Sequence, residues 1–592
     1  MFGAPNPSRR RPLYLALLMC LCAAAIGGGC APATEGMVET TALPSPRPTV
    51  TPTVEPTITP IPPPTSFPTP LPTIVIPMLT PSAPLTTTEA AGHPKVWDLP
   101  QPVIPEPFGV EIHFTRASQE EMDYIASGGF KWVRMDMFWH TIETALGRYD
   151  FSAYDRLVSE MARRGIRIVF ILDYGNPLYD HGYPPTSPGG RAAFARFAAI
   201  AAKRYNDDGV IWEIWNEPNL DHFWVPEANA RAYGELALAT AKAIRAAEPT
   251  AIIVAPALAG YEYPFWRTLG EMGLFGHIDA VTVHSYGVVI PEELTGPFLQ
   301  LRRIIDTYSP NWRLPIYSGE WGFASTVNGY SEGRQAQFLA RQWLVNLTHD
   351  IHLNIWYDWH DDGHDRDNPE HNFGTVRNDY SAKPTYKAAQ ALARSLEGYR
   401  LLRKVPMERG DDYLLVFQSG DRVAFAMWTL GVDHTVILPI SVYDVATVSM
   451  TGEESILPSK GEGLAVPLTQ SPRYLLFRGD QAPTYLGGWR PQHDIQRVVR
   501  GPEASLPIVF DPVAGLPMHG EAQVWAGGAL RGSLRVDIGP IGEQMVRVPV
   551  NLDGLQGDVP AAVHLVLDEP AMRDLHVAEV WLQIADAPET EE

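Results

Sequence analysis

Cysteine is nearly absent. Three occur among 592 residues, Cys20, Cys22 and Cys30, all near the N-terminus. Beyond residue 30 no internal disulfide can form, so stability there must come from core size. Positive charge is scarce as well: 46 Lys and Arg stand against 68 Asp and Glu, a formal net charge of -22. A phosphate backbone needs a basic face, which argues against nucleic acid as a partner. Zinc and nucleotide motifs are missing, and no metal or cofactor is expected. The apolar run Leu13–Ile26 is shorter than the ~20 residues of a spanning helix. Only 19% of residues are charged and 45% are hydrophobic, so most of the chain should be globular. The length suits two to four domains.

What is present begins with a leader. Arg9, Arg10 and Arg11 precede the run Leu13–Ile26, followed by Gly27, Gly28, Gly29 and Cys30. A basic region, a short apolar region and small residues read as a signal peptide over 1–30. The small residues before Cys30 resemble a bacterial lipobox, with Gly27 where Leu is usual. That resemblance implies cleavage before Cys30, lipidation of its thiol and a protein held outside the cell on the membrane by its lipid; ordinary secretion or an uncleaved anchor is the alternative. Residues 31–95 lack periodicity, and 15 prolines fall between Thr41 and Ala90. Such a segment cannot bury enough apolar surface to fold and reads as a semi-rigid linker.

From 96 to 398 short apolar strands alternate with amphipathic helices. Strands are expected at Gly109–Phe114, Trp132–Trp139, Arg167–Tyr174, Ile211–Asn216, Ile252–Ala257, Ala280–Tyr286, Pro315–Glu320 and His352–Trp359. Helices fall between them, and one more, Ala382–Leu396, follows the last strand. Eight such units in ~300 residues fit a (β/α)8 barrel of the α/β class better than an open sheet. In the third large helix Phe194, Phe197 and Ile200 are expected on one apolar face. After 398 the period becomes two, which predicts β-sandwich domains over 399–480 and 481–592, with one larger β domain as the alternative. The last domain reads as a carbohydrate-binding module or a spacer.

The sharpest motif is Trp215-Asn216-Glu217-Pro218-Asn219, at the carboxyl end of the fourth strand, where barrel active sites lie. Placing it there makes the seventh strand a test, and that strand ends Ser318-Gly319-Glu320-Trp321. Two carboxyls across a barrel mouth suit glycosidic cleavage: one protonates the leaving oxygen, and the other, ionised, attacks the anomeric carbon. This pattern resembles the clan A glycoside hydrolases, with their cellulase-like and β-xylosidase-like families. The resemblance covers about 300 of the 592 residues. It implies Glu217 as acid/base, Glu320 as nucleophile and Asn216 on the sugar 2-hydroxyl. It further implies Arg134 as the cation that keeps Glu320 ionised, and His284-Ser285-Tyr286 as the His-x-Tyr segment whose phenol contacts the nucleophile. A strand-eight tryptophan forms the floor under the scissile sugar in that group. Trp356 and Trp359 lie on opposite faces of an ideal strand, so only one can serve, and Trp356 is favoured.

Other residues carry weaker signals. Trp139, Tyr174, Tyr179, Phe223, Trp224, Tyr261 and Trp266 at or after strand ends are expected to line a cleft or to pack loops. His113 on the first strand either binds substrate or fills the barrel. Glu213 reads as a supporting or rim charge, and Asp173 is ambiguous. The acidic run Asp361–Asp367 reads as a solvated loop rather than a Ca2+ site, because it lacks a recognisable ligand loop. The expected protein is a glycosidase acting on β-linked poly- or oligosaccharide. The alternatives are a non-catalytic glycan-binding protein on a decayed barrel, against which the intact glutamate pair argues, and a transglycosylase with the same residues.

Overall fold

Alternation of apolar strands with amphipathic helices builds a (β/α)8 barrel in the computed structural model. The structure describes residues 99–440, 444–459, 463–477, 488–511, 518–539, 543–568 and 576–587. The signal peptide, Cys30 and the linker lie outside the described residues. The strands are β1 (Phe108–Glu111), β2 (Trp132–Phe138), β3 (Arg167–Asp173), β4 (Ile211–Ile214), β5 (Ile252–Val254), β6 (Leu258–Ala259), β7 (Val281–His284), β8 (Ile316–Trp321) and β9 (Asn354–Trp356). β5 and β6 are halves of the fifth barrel strand, so β8 is the seventh and β9 the eighth. The sheet runs β5-β4-β3-β2-β1-β9-β8-β7-β6. A parallel bridge between Val254 and Ala280 joins its ends and closes the barrel. Trp132, Val169, Ile211, Ile252, Val254, Tyr317, Leu353 and Ile355 pack together as the plug of the lower barrel.

The outer helices start where the sequence offers caps. Ser118 Oγ accepts from Glu121 N at α1 (Gln119–Ser127). The helices α2 (Ser152–Ala162) and α3 (Pro188–Arg204) follow, and Ser187 Oγ accepts from Gly190 N with Pro188 in the first turn of α3. α3 buries Phe194 and Phe197, but Ile200 is 37% exposed, contrary to expectation. At 3.6 residues per turn a position six along has drifted off the face, and Ala201, seven along, is buried instead. α4 (Ala230–Ala247), α5 (Tyr263–Glu271), α6 (Thr295–Tyr308), α7 (Glu332–Thr348) and α8 (Pro384–Ser395) complete the ring.

Two antiparallel-rich β modules follow. Strands from Arg400 to Phe477 form a six-stranded sheet and a two-stranded one around Leu414, Val416, Phe425 and Leu475. Strands from Trp489 to Ala585 form a three-stranded and a five-stranded sheet around Leu506, Phe510, Val524 and Val580. The last module docks on α6: Gln583 Nε2 donates to Leu299 O (3.1 Å), and Arg303 pairs with Asp558.

Candidate active site

The end of β4 does not continue as a regular strand. Trp215 and Glu217 have φ of 69° and 46°, left-handed values that non-glycine residues adopt only when held. Backbone bonds hold them: Trp215 N donates to Leu172 O (3.1 Å) and Glu217 N to Ala257 O (3.0 Å). The two turns cancel strand alternation, so Asn216 and Glu217, adjacent in sequence, both reach the polar cluster at the barrel mouth. Asn216 Oδ1 accepts from Arg134 Nη2 (2.7 Å), and Glu217 Oε1 lies 2.8 Å from His284 Nδ1.

Arg134, fully buried on β2, organises the mouth. Its Nη1 donates to Glu320 Oε2 (2.9 Å) and to both oxygens of Glu111 (2.8 Å), and its Nε to Glu213 Oε1 (2.8 Å). The second oxygen of Glu320, Oε1, accepts from the Tyr286 hydroxyl (2.8 Å). Gly319 precedes Glu320 for a steric reason. A Cβ there would sit 3.1 Å from Glu213 Oε2 and 3.2 Å from Thr282 Cβ. The β7–β8 register shifts at this level, a bulge-like irregularity that sets His284 opposite Glu320.

The two glutamates meet different fields. Burial pushes the Glu217 carboxyl up to about 7, with Arg134 pulling down and Glu213 pushing up. Glu217 can therefore hold a proton near neutral pH, while Glu320 accepts from two donors, Arg134 and Tyr286. Burial also pushes His284 down to about 4, so its ring is neutral. Its Nε2 lies 3.4 Å from Arg134 Nη2, which can only donate. Nε2 is thus the acceptor, Nδ1 carries the hydrogen, and Nδ1 donates to Glu217. Glu111 is raised well above the usual carboxylate range, chiefly by burial. A proton on Glu111 relieves the crowding of three carboxylates on one guanidinium.

The structure brings Arg134, Asn216, Glu217, His284, Tyr286 and Glu320 together and leaves three tryptophans out. Trp139 is fully buried, its Nε1 donating to Glu143 (2.7 Å) and its ring stacked on Tyr179. It starts a one-turn helix at Trp139–Ile142 and so points into the layer beneath α3. Trp356 and Trp359 are also buried. Trp356 donates to Phe373 O, and Trp359 donates to Glu121 and packs on Tyr124 of α1. Leu353 and Ile355 face the barrel interior, so strand phase turns Trp356 outward and sends Tyr357 inward. Tyr357 is half-buried, edge-on to His113 at 5.7 Å, and within the field of Glu320. It is the aromatic that sequence reasoning missed, and counting in twos from Leu353 finds it. Glu111, at the end of β1, was likewise missed, because no motif marks it.

His113 does not fill the barrel. It is exposed, with Nε2 3.2 Å from Asp358 Oδ2. Glu213 is buried under Arg134 rather than on a rim, and Asp173 is buried at the end of β3. Among the other aromatics Trp224 and Trp266 are core, while half-buried Tyr174 and Phe223 stack 5.7 Å apart. In the acidic run, Asp361 is buried on Lys383 Nζ (2.6 Å), so the loop is anchored rather than wholly solvated. Half-buried Glu370 on the same loop is pushed up to about 8 by burial, then by the charge of Glu320. No periodic signal marks a loop residue of this kind. Among the described residues, two groups have ligand atoms within 4.8 Å of one another: His113 with Asp358 and Asp362, and Glu217 with His284 and Glu320. In the second group all three side chains already engage one another, Arg134 or Tyr286.

Similarity to known proteins agrees with this chemistry. A family model described as cellulase (glycosyl hydrolase family 5) matches residues 100–363. A family 39 glycoside hydrolase from Bacteroides cellulosilyticus WH2 is 25% identical, with 63% of this chain and 81% of that one covered and a TM-score of 0.57. A monomeric beta-xylosidase from Caulobacter crescentus CB15 is similar in fold, at 18% identity over 64% of this chain and 97% of that one, TM-score 0.50. No curated protein matches the chain. In its barrel, its paired glutamates and these likenesses the chain resembles the clan A glycoside hydrolases. It is a glycosidase, and its substrate is carbohydrate.

Proposed function

We propose that the enzyme cleaves β-linked poly- or oligosaccharides by double displacement with retention. The nearest carboxylate oxygens of Glu217 and Glu320 lie within 4.8 Å, which carries this reading. Retaining pairs stand ~5–5.5 Å apart, and inverting pairs ~6.5–9.5 Å to admit a water. The cellulase description of the matching family model supports a β-linked substrate.

In the first step Glu217 gives its proton to the glycosidic oxygen. The C1–O bond breaks while a Glu320 oxygen bonds C1. Arg134 and Tyr286 hold the Glu320 carboxylate in line for attack. In the second step water attacks C1, its proton passes to Glu217, and the Glu320 ester bond breaks. Asn216, fixed by Arg134, supports contact with the sugar 2-hydroxyl, and Tyr357 supports the floor under the ring. The expected result is that Glu320→Ala loses turnover of aryl β-glycosides and that azide restores it as the glycosyl azide. Full activity in Glu320→Ala without azide sinks the reading.

The sequence also supports a place of action. The basic leader, the run to Ile26 and Cys30 favour export and lipidation, with the 41–90 proline segment as a tether between membrane and enzyme.

A further inference from the structure

The last β module carries a feature that the catalytic site does not use. Strand Met518–Ala526 alternates strictly: Gly520, Ala522, Val524 and Ala526 are buried, while Glu521, Gln523 and Trp525 face out. Trp525 is 38% exposed, and among the described tryptophans it alone is exposed. Its indole is not loose. Trp525 Nε1 donates to Gln523 Oε1 (3.2 Å), and Gln523 Nε2 donates to Glu521 Oε2 (3.2 Å).

The neighbouring strands extend this row into a platform. Gln523 pairs with Ser533 on one side and His564 on the other, and Trp525 pairs with Ala562 on one side and with exposed Leu530 on the other. The His564 ring lies 5.9 Å from the indole. Small Ala562 beside Trp525 keeps one flank low, while amide, hydroxyl and imidazole groups stand along the next row. On this face the exposed apolar side chains Trp525, Leu530 and Val566 are interleaved with Glu521, Gln523, Ser533 and His564. The same sheet face docks on the barrel further along, where Gln583 donates to Leu299 O. The Trp525 end lies beyond that contact, on the strands toward the far edge of the sheet.

A flat aromatic ringed by hydrogen-bonding side chains matches one chemistry closely. A pyranose ring offers an apolar C–H face to the indole and equatorial hydroxyls to Gln523, Ser533 and His564. We propose that the Trp525 face is a second, non-catalytic carbohydrate site that holds the glycan chain whose bonds the barrel cleaves. The choice of β-linked glycan rests on the functional reading above. Such a site raises the local concentration of substrate at the barrel by tethering.

The test uses the full chain in the Glu320→Ala background, so that substrate is not digested. Electrophoresis is run in native gels containing xylan, hydroxyethylcellulose, glucomannan or β-1,3-glucan. The parent chain should be retarded by at least one of them. Trp525→Ala should weaken that retardation about tenfold, the effect of losing ~1.4 kcal/mol of stacking. Trp525→Tyr should restore part of it, which a merely structural role would not do. With Glu320 intact, Trp525→Ala should leave aryl glycoside hydrolysis and the melting temperature unchanged. That assay reports the barrel reaction separately, so failure of the two ideas can be told apart. Equal retardation with and without Trp525, or no retardation by any of the four glycans, overturns the proposal. So does a concentration-dependent dimer that Trp525→Ala abolishes, because the face then belongs to a second copy of the chain.

Discussion

At the residue scale, Glu217 and His284 are displaced by the same burial but in opposite directions. The carboxyl rises to about 7 and the imidazole falls to about 4, so each favours its neutral form. A protonated Glu217 is the form a general acid needs, so kcat/KM should fall as pH rises through about 7. The same shift has a thermodynamic sign. Between about 4.5 and 7 the folded state keeps a proton that the unfolded chain has lost. Glu217 therefore contributes most to stability below 4.5, and that contribution fades as pH rises through 7. Glu217→Gln keeps an acceptor for His284 Nδ1 and removes the titration. The variant should gain on the parent with rising pH, by about 2–3 kcal/mol between pH 5 and 8. Denaturant midpoints at the two pH values check this, and a pH-independent difference contradicts it.

The glutamate pair was legible because its two motifs sit at strand ends of the right rank. The His284 tautomer was not, since it follows from which atom of Arg134 faces Nε2. The co-burial of Glu111 and Glu213 under one guanidinium was equally hidden, because no spacing rule joins β1, β2 and β4.

At the scale of the element, phase decides which side chains reach the sugar. Strand positions were legible from alternating apolar runs, whereas the serine caps Ser118, Ser187 and Ser331 emerged only in the structure. The strand-eight tryptophans were misjudged because aromatic identity outweighed strand phase, which points to Tyr357. The two readings separate by experiment. Tyr357→Ala should lower kcat/KM about tenfold with little change in melting temperature. Trp359→Ala, which empties a site packed on Tyr124, Phe130 and Tyr386, should cost about 3–5 kcal/mol of stability. Kinetics and thermal melts on both variants check this; a kinetic defect confined to Trp359→Ala contradicts the assignment. The strand ends at β4 were less legible, because the left-handed turns at Trp215 and Glu217 depend on backbone partners from β3 and the fifth strand.

At the scale of the whole molecule, barrel and β modules share contacts rather than hanging on a linker. Asp350, at the end of α7, is held by His493 Nδ1 (2.6 Å), and Arg313 Nη2 donates to Ile495 O (3.0 Å). Burial opposes the Asp350 anion, and His493 and His352 together hold it well below the usual carboxylate range. Removing residues 481–592 takes away His493 and bares the α6 surface. The truncated enzyme should still hydrolyse aryl glycosides but melt at a lower temperature, a shift read by calorimetry. An unchanged melting temperature contradicts the docking described here. Period-two patterning made the β modules legible; which side docks on α6 was not, because it depends on a few long polar side chains.

Retention by the Glu217–Glu320 pair is most directly read by proton NMR of the sugar first released from an aryl β-glycoside. Double displacement predicts that the β-anomer appears first and the α-anomer only later, by mutarotation. Release of the α-anomer first would mean that a water, not Glu320, attacks C1, and would contradict the account.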